Sequence, residues 1–396
     1  VAPEPAPRSV ATATDKGVPA VGARPLAGSR IATGLILAAA LIAVGFLPVE
    51  RFGDWVRFKT MRDGARQTAA AFLKDNGFDV SSYRHLVQLM DRTEPTDAAY
   101  LLKTGGLRVA NLVGGSLVPT PLWRVRFYVP GQMEEYWVSV STTTGTAVGF
   151  DRTLLDTAAG ATVPKERALE LAEAFLKAHG LDPAAGELKE QTEKDEKARR
   201  DHILVWEFKQ TDAGEASVRH RILVQGDAVG AWTREVKIPE DWRRDREKQT
   251  ALTVAVRWLR LPLFALVAVF AVLLLMAKIR AGEVPWKFAF AAGLLVAFAT
   301  LVRTALSLDA LWARYSTSMP AGAYDVVVAI GLLLGTLGAF VAATLVAALA
   351  GALYPRAVTM LAASSRRQLA RDALVSGGVA LGLVLGLPTL PQLIAA

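Results

Sequence analysis

Leu261–Ala277, LPLFALVAVFAVLLLMA, constrains this chain more than any other stretch: seventeen consecutive residues without a charge. At about 1.5 Å per residue such a helix crosses most of a hydrocarbon layer roughly 30 Å thick. Trp258 and Arg260 before it, with Lys278 and Arg280 after it, are suited to the headgroup layer. Because three further apolar runs follow it without an intervening soluble pattern, a buried helix of a soluble core does not account for it.

The later runs are Phe288–Leu308 with Arg303 inside it, Val326–Tyr354, and Ala373–Ala396 with Pro388 and Pro391. Val326–Tyr354 is longer than a perpendicular span requires, so tilt is expected. Ile31–Val49, preceded by Arg24 and Arg30, is a fifth run. The tail before it is long and no A-x-A-like site precedes Glu50, which favours an uncleaved anchor over a cleaved signal peptide. Residues 1–30, rich in Ala, Pro and Gly, read as a disordered cytoplasmic tail.

The net charge of +8 does not signal a nucleic-acid partner. Residues 50–254 carry 30 basic and 31 acidic groups, whereas residues 255–396 carry 11 and 4. The excess lies beside the apolar runs, and no basic face with interleaved aromatics is seen on the soluble part. With a cytoplasmic N-terminus, Lys278–Lys287 (three basic, one acidic) and Arg356–Arg371 (four Arg, no acid) fall inside, while residues 50–254 and Asp309–Asp325 fall outside. This predicts a multi-pass bacterial inner-membrane protein with an extracytoplasmic domain. The absence of cysteine excludes disulfides, thiolate nucleophiles and Cys-containing zinc sites.

Residues 50–254 contain an internal repeat. AAAFLKDNGFD at Ala69–Asp79 recurs as AEAFLKAHGLD at Ala172–Asp182, each an amphipathic helix closed by a glycine, Gly77 or Gly180. In the first copy the helix leads to Leu122–Val129 and to the hairpin Glu135–Phe150. In the second it leads to His202–Gln210 and Val218–Trp232. Thr144-Gly145 and Gly226-Asp227 supply turns, and Ala-Val-Gly follows each, at Ala147–Gly149 and Ala228–Gly230. The expected fold is therefore an α+β domain of two helix-plus-antiparallel-strand repeats, residues 50–157 and 158–254, followed by an all-α membrane region of four spans over 255–396. The charge run Glu187–Asp201 reads as a solvated helix or loop, and Pro239–Lys248 as the descent to the membrane surface.

Catalytic patterns are missing. No H-E-x-x-H, G-x-S-x-G or G-x-x-x-x-G-K-[ST] is present. His85, His179, His202 and His220 all lie in the soluble block; His202 and His220 fall on neighbouring strands, where surface or half-buried roles are expected. Glu134-Glu135 opens a strand with both carboxylates solvated. Gly105-Gly106 and Gly114-Gly115 read as turns flanking LRVANLV, and Ser116 follows without the lysine of a phosphate loop. Arg303 lies near the expected outer end of its span, where its side chain can reach the interface. Without His or Glu in any apolar run, these spans offer no ligand set for a metal. The site assignment is accordingly none: no catalytic, cofactor-binding or metal residue.

The arrangement resembles the N-terminal half of large bacterial CPBP (CAAX protease and bacteriocin-processing) intramembrane proteases. The anchor, the repeated AFLKxxGxD helices, LWRVRFYV, DHILVWEF, VQGDAVGAW and KIPEDWRRD, and the multi-span region carry the resemblance, and the repeat units resemble PepSY modules. It implies peptide-bond hydrolysis by a Glu-Glu-x-x-x-Arg motif and intramembrane histidines, with any divalent metal held by that catalytic part. Glu134-Glu135 is followed by Ser139 where arginine is wanted, so no catalytic residue transfers. Ending at Ile394-Ala395-Ala396 inside an apolar run, the chain is expected to stop short of the catalytic core. The expected partners are the lipid bilayer and a polypeptide substrate or membrane protein; the alternative is a non-enzymatic sensor or assembly factor.

Overall fold

The computed structural model describes residues 28–47, 50–209, 212–363 and 365–386. Most of the N-terminal tail, together with Val49, Pro388 and Pro391, lies outside the described residues. The chain forms two compact units, one of residues 50–268 with 296–339 and one of the described residues in 1–49, 269–295 and 340–396.

The first unit is built on duplication. Helix α2 (Arg62–Asp75) is followed by strand β1 (Arg84–Met90), helix α3 (Pro95–Leu112) and strands β2 (Leu122–Tyr128), β3 (Glu135–Ser141) and β4 (Ala147–Thr153). Helix α4 (Lys165–Ala178) is followed by β5 (Glu187–Asp195), β6 (Arg200–Lys209), β7 (Ser217–Gln225) and β8 (Ala228–Lys237). Each repeat is thus a helix and a four-strand antiparallel meander. The repeats share one eight-stranded sheet of order β1-β2-β3-β4-β8-β7-β6-β5 rather than forming two small ones. Last strand pairs with last strand at Phe150–Trp232 and Asp151–Ala231. At this seam the backbones approach so closely that a Cβ on Gly149 would lie 2.8 Å from the Trp232 carbonyl oxygen.

Both repeat helices cover the same sheet face. Ala65, Ala69, Phe72 and Leu73 of α2 match Ala168, Ala172, Phe175 and Leu176 of α4, all buried. The alanines let each helix lie close to the strands, and the larger side chains fill the space between. Gly77 and Gly180 take φ of +86° and +77°, and the following N–H groups of Phe78 and Leu181 return to the carbonyls of Leu73 and Leu176 at 2.9 and 3.0 Å. These are the Schellman closures that the repeated glycines require. Over the seam Phe72, Phe150, Phe175 and Trp232 form a chain of ring contacts 5.2 to 5.8 Å apart.

Two sequence expectations are corrected here. Residues 187–195 are neither helix nor loop: they form edge strand β5, hydrogen-bonded to β6. Its side chains stay solvated as expected, and ion pairs such as Arg200–Asp195 at 2.5 Å and Lys165–Glu193 at 3.6 Å hold a polar strand that has only one neighbour. Gly105 and Gly106 lie inside α3, kinking it at Gly106 (φ +70°), and Gly114 and Gly115 lie in a π-helical turn, Val113–Leu117. The second pair admits a ring: Cβ atoms there would come within 2.5 and 2.8 Å of Trp55.

Among the described residues five helices are long and apolar enough to cross a membrane, and the chain is a membrane protein. They are α1 (Gly28–Gly45), the apolar part of α5 (Glu240–Arg280), α6 (Trp286–Leu306), α8 (Ala321–Leu353) and α10 (Arg366–Gly386). Two short helices, α7 (Leu308–Trp312) and α9 (Pro355–Ala363), follow α6 and α8. The segment 240–248 forms the opening turns of α5, continuous with the span. Arg303 is exposed in the last turn of α6. In the second unit α1 and α10 cross tightly on small residues: Cβ atoms on Gly34 and Gly382 would meet Val375 and Leu41 at 2.8 and 2.9 Å.

Candidate ligand cavity

Strand alternation decides which side chains face away from α2 and α4. On β2 these are Leu122, Arg124, Arg126 and Tyr128; opposite them on β3 stand Ser141, Ser139, Trp137 and Glu135. Asp151 continues the row on β4, and Thr233 and Glu235 lie on the same face of β8. In the first repeat this face is roofed by residues 91–121, the insertion holding α3 and the π-helical turn; the second repeat has only the turn Glu196–Arg199 at the equivalent place. A cavity of about 490 Å³ lies between roof and sheet. Its walls are mainly apolar, with Trp55, Leu101, Val113 and Val118 from the roof side and Leu122 and Trp137 from the sheet.

Charged groups punctuate that lining. Burial raises the Asp151 carboxyl above its usual range, Glu135 adds to the rise, and Arg92 opposes it. Burial likewise raises Asp97, which Arg243 counteracts from 3.4 Å while Glu94 and Glu235 add to the rise. Burial lowers the pKa of the Arg92 guanidinium, and the negative charge of Asp151 opposes that shift. Arg124 lies 4.5 Å over the Trp137 ring, and its Nε has no hydrogen-bond partner among the described residues. Cations and carboxyls thus face one apolar space, an arrangement suited to a ligand with apolar bulk and both donors and acceptors.

The roof is tied to the membrane-bound part of the unit. Asp97 of α3 meets Arg243 of α5, Tyr100 packs edge-on against Trp242 at 5.5 Å, and Lys103 lies 4.7 Å over the same indole. A second tie lies farther along the sheet face. Arg126, 3% exposed, pairs with Glu135 and donates from Nη1 to the Tyr315 carbonyl oxygen at 2.7 Å. Tyr315 is buried with Leu86 and Tyr128 in a cluster that includes Trp312 and Tyr324, and Arg62 reaches Asp309 at 2.5 Å. The segment between α6 and α8 therefore lies on the same side as the sheet.

No protein-family profile and no curated protein matches the chain. Among solved structures, the Bacillus megaterium YpeB C-terminal domain is similar over 46% of this chain and 69% of that one, at 13% identity and a TM-score of 0.27. A likeness of that size carries no inference about function.

The residues singled out in the sequence are scattered. His202 and His220 do lie on adjacent strands, but both are buried rather than at the surface or half-buried, and His202 pairs with Val224 and His220 with Trp206, with the Leu204–Ile222 rung between them. His202 Nε2 faces the Val163 carbonyl at 2.9 Å, and the Trp232 indole donates to His220 Nδ1 at 3.2 Å. His179 caps the C-terminus of α4 with its ring tilted against that of Phe175, 4.2 Å between centroids, and His85 is exposed on β1. Glu134 and Glu135 are paired: Glu134, which stays partly solvated, with Arg152 at 2.7 Å and with the Tyr136 hydroxyl, and Glu135, against expectation largely withdrawn from solvent, with Arg126 and the Trp137 indole. Among the described residues no three His, Asp or Glu side chains are placed to share a metal. Sequence reasoning missed Arg92, Asp97, Arg124, Trp137 and Asp151. The available signal was the strand period in LWRVRFY, which puts two arginines on the face opposite Val125 and Phe127.

Proposed function

We propose that this chain is a membrane-anchored recognition protein whose tandem module binds a polypeptide segment in the cavity under α3. The observation that carries this reading is the cavity itself: an apolar, indole-floored space of about 490 Å³ bordered by Arg92, Arg124, Asp97 and Asp151. A peptide offers an apolar side chain together with backbone donors and acceptors, the combination such a lining complements.

The resemblance to CPBP proteases supplies the setting: the module stands outside the bacterial inner membrane and presents a polypeptide to an intramembrane endopeptidase whose catalytic motifs are not in this chain. In that setting the chain contributes recognition and anchoring, and any divalent metal belongs to the catalytic part. A sensor or assembly factor would use the same cavity for the same purpose.

Panning a displayed peptide library against the full chain in lipid nanodiscs, then titrating the selected peptides, tests the proposal. Trp137→Ala is expected to weaken them by about tenfold or more, as loss of a central aromatic contact does. Binding unaffected by Trp137→Ala and by Arg124→Ala, or no binder at all, would overturn the reading.

A further inference from the structure

Trp137 belongs both to the floor of the cavity and to the network that holds the loop between α6 and α8. Its ring lies 4.5 Å from the Arg124 guanidinium on the cavity side and 5.2 Å from that of Arg126. Its indole N–H donates to Glu135 Oε1 at 2.9 Å. The other carboxylate oxygen of Glu135 accepts from Arg126, at 3.0 Å from Nε. The remaining guanidinium nitrogen of Arg126 donates to the Tyr315 carbonyl at 2.7 Å. Tyr315, 2% exposed, is gripped by Trp312 and Tyr324 at 5.2 and 5.1 Å between ring centroids, and the Tyr324 hydroxyl donates to the Leu311 carbonyl.

We infer that filling the cavity loosens the hold of Arg126 on the α6–α8 loop, so that occupancy is coupled to the membrane helices flanking that loop. The inference rests on the recognition reading and adds its regulation. An occupant large enough to press on Arg124 and Trp137 displaces the indole, which is bonded to Glu135, and Glu135 is bonded in turn to Arg126, whose guanidinium lies over the same ring. Arg126 is closely confined, so it cannot follow the indole and keep the geometry of its bond to Tyr315. Among the described residues the loop has no other charged tie to the sheet near this point; Arg62–Asp309, the remaining ion pair to this segment, is more than half exposed and correspondingly weak. Coupling of this kind is reciprocal: whatever releases the loop changes the cavity.

The cysteine-free sequence permits a test without a known ligand. Ser139 lines the cavity and is paired across the strands with Arg124. In the full chain in nanodiscs, Ser139→Cys is to be modified with benzyl methanethiosulfonate, and hydrogen exchange followed over residues 307–320 and over β6–β7. The expected result is exchange about fivefold faster or more in the loop, the lower edge of typical coupling factors, with β6–β7 unchanged. A stoichiometric adduct that leaves the loop's exchange unaltered would overturn the inference.

If the adduct disturbs β6–β7 as well, the reverse direction decides. Adding Arg126→Gln to the Ser139→Cys chain should shift the equilibrium constant for forming the mixed disulfide with benzyl mercaptan in a thiol–disulfide buffer by about fivefold or more, and an unchanged constant would sink the proposal. Absence of any peptide binder would remove the recognition reading while leaving this coupling intact, because the adduct itself is the occupant.

Discussion

Arg126 and His220 show how single side chains define this module. Arg126 shares burial with Glu135, and removing one member of such a pair strands the other, at a cost of about 3 kcal/mol or more. Arg126→Met should therefore lower the unfolding midpoint of the full chain, followed by tryptophan fluorescence in detergent, whereas Arg62→Met at the exposed pair with Asp309 should change it little. His220 lies between Trp232 and Phe208, and burial, with help from Arg234, lowers its pKa from 6.5 to about 4. A base depressed in the folded state binds its proton more readily when unfolded. Its contribution to stability is thus complete above pH 6.5 and declines as pH falls toward 4, by on the order of 3 kcal/mol in all. Comparing pH-dependent melts of the parent and of His220→Phe isolates this slope, because the carboxyls Asp97 and Asp151, shifted the opposite way, are common to both. Parallel pH profiles would contradict the assignment.

At the level of elements, the duplicated helices make matched predictions. Leu73 and Leu176 are both fully buried at equivalent places, so Leu73→Ala and Leu176→Ala should each cost about 2–5 kcal/mol, and equal losses would indicate equivalent packing. This equivalence was legible in AAAFLKDNGFD and AEAFLKAHGLD, because helix period, alanine spacing and terminal glycine are local properties. The strands of LWRVRFYV and HILVWEF were legible for the same reason. Strand β5 was not: ELKEQTEKD has the composition of a solvated segment, and only the unpaired edge of β6 makes it a strand. The glycine pairs misled similarly, since Gly114 and Gly115 serve the approach of Trp55, which is distant from them in the chain. The period of LWRVRFY marks the arginine-bearing face, but no local signal announced the cavity as a whole, whose walls come from β2–β4, β8, the insertion and the segment holding Phe52 and Trp55. Among the spans, α1 and α10 offer a direct check: a Cβ on Gly378 would stand 3.7 Å from that of Ala38, within disulfide range. Ala38→Cys with Gly378→Cys should cross-link under mild oxidation, and adding Gly382→Ile should suppress the cross-link by forcing the helices apart.

For the whole molecule, the contacts from Arg126 and Arg62 to the α6–α8 loop require sheet and loop to share one side of the membrane. Cysteines placed singly at Lys177 and Ser318, both exposed, should therefore label with a membrane-impermeant maleimide from the same side of intact cells. Opposite sidedness would refute the arrangement. Labelling from outside would also agree with the positive-inside reading of the short loops.

The asymmetry of the duplication has a numerical consequence. Two copies of one meander meet back to back at Phe150–Trp232, yet only the copy with residues 91–121 inserted between its first two strands has a ceiling; its twin closes the same gap with Glu196–Arg199. A doubled scaffold thereby carries an unduplicated cavity, and under the proposed recognition role a calorimetric titration with a selected peptide should saturate at one equivalent per chain.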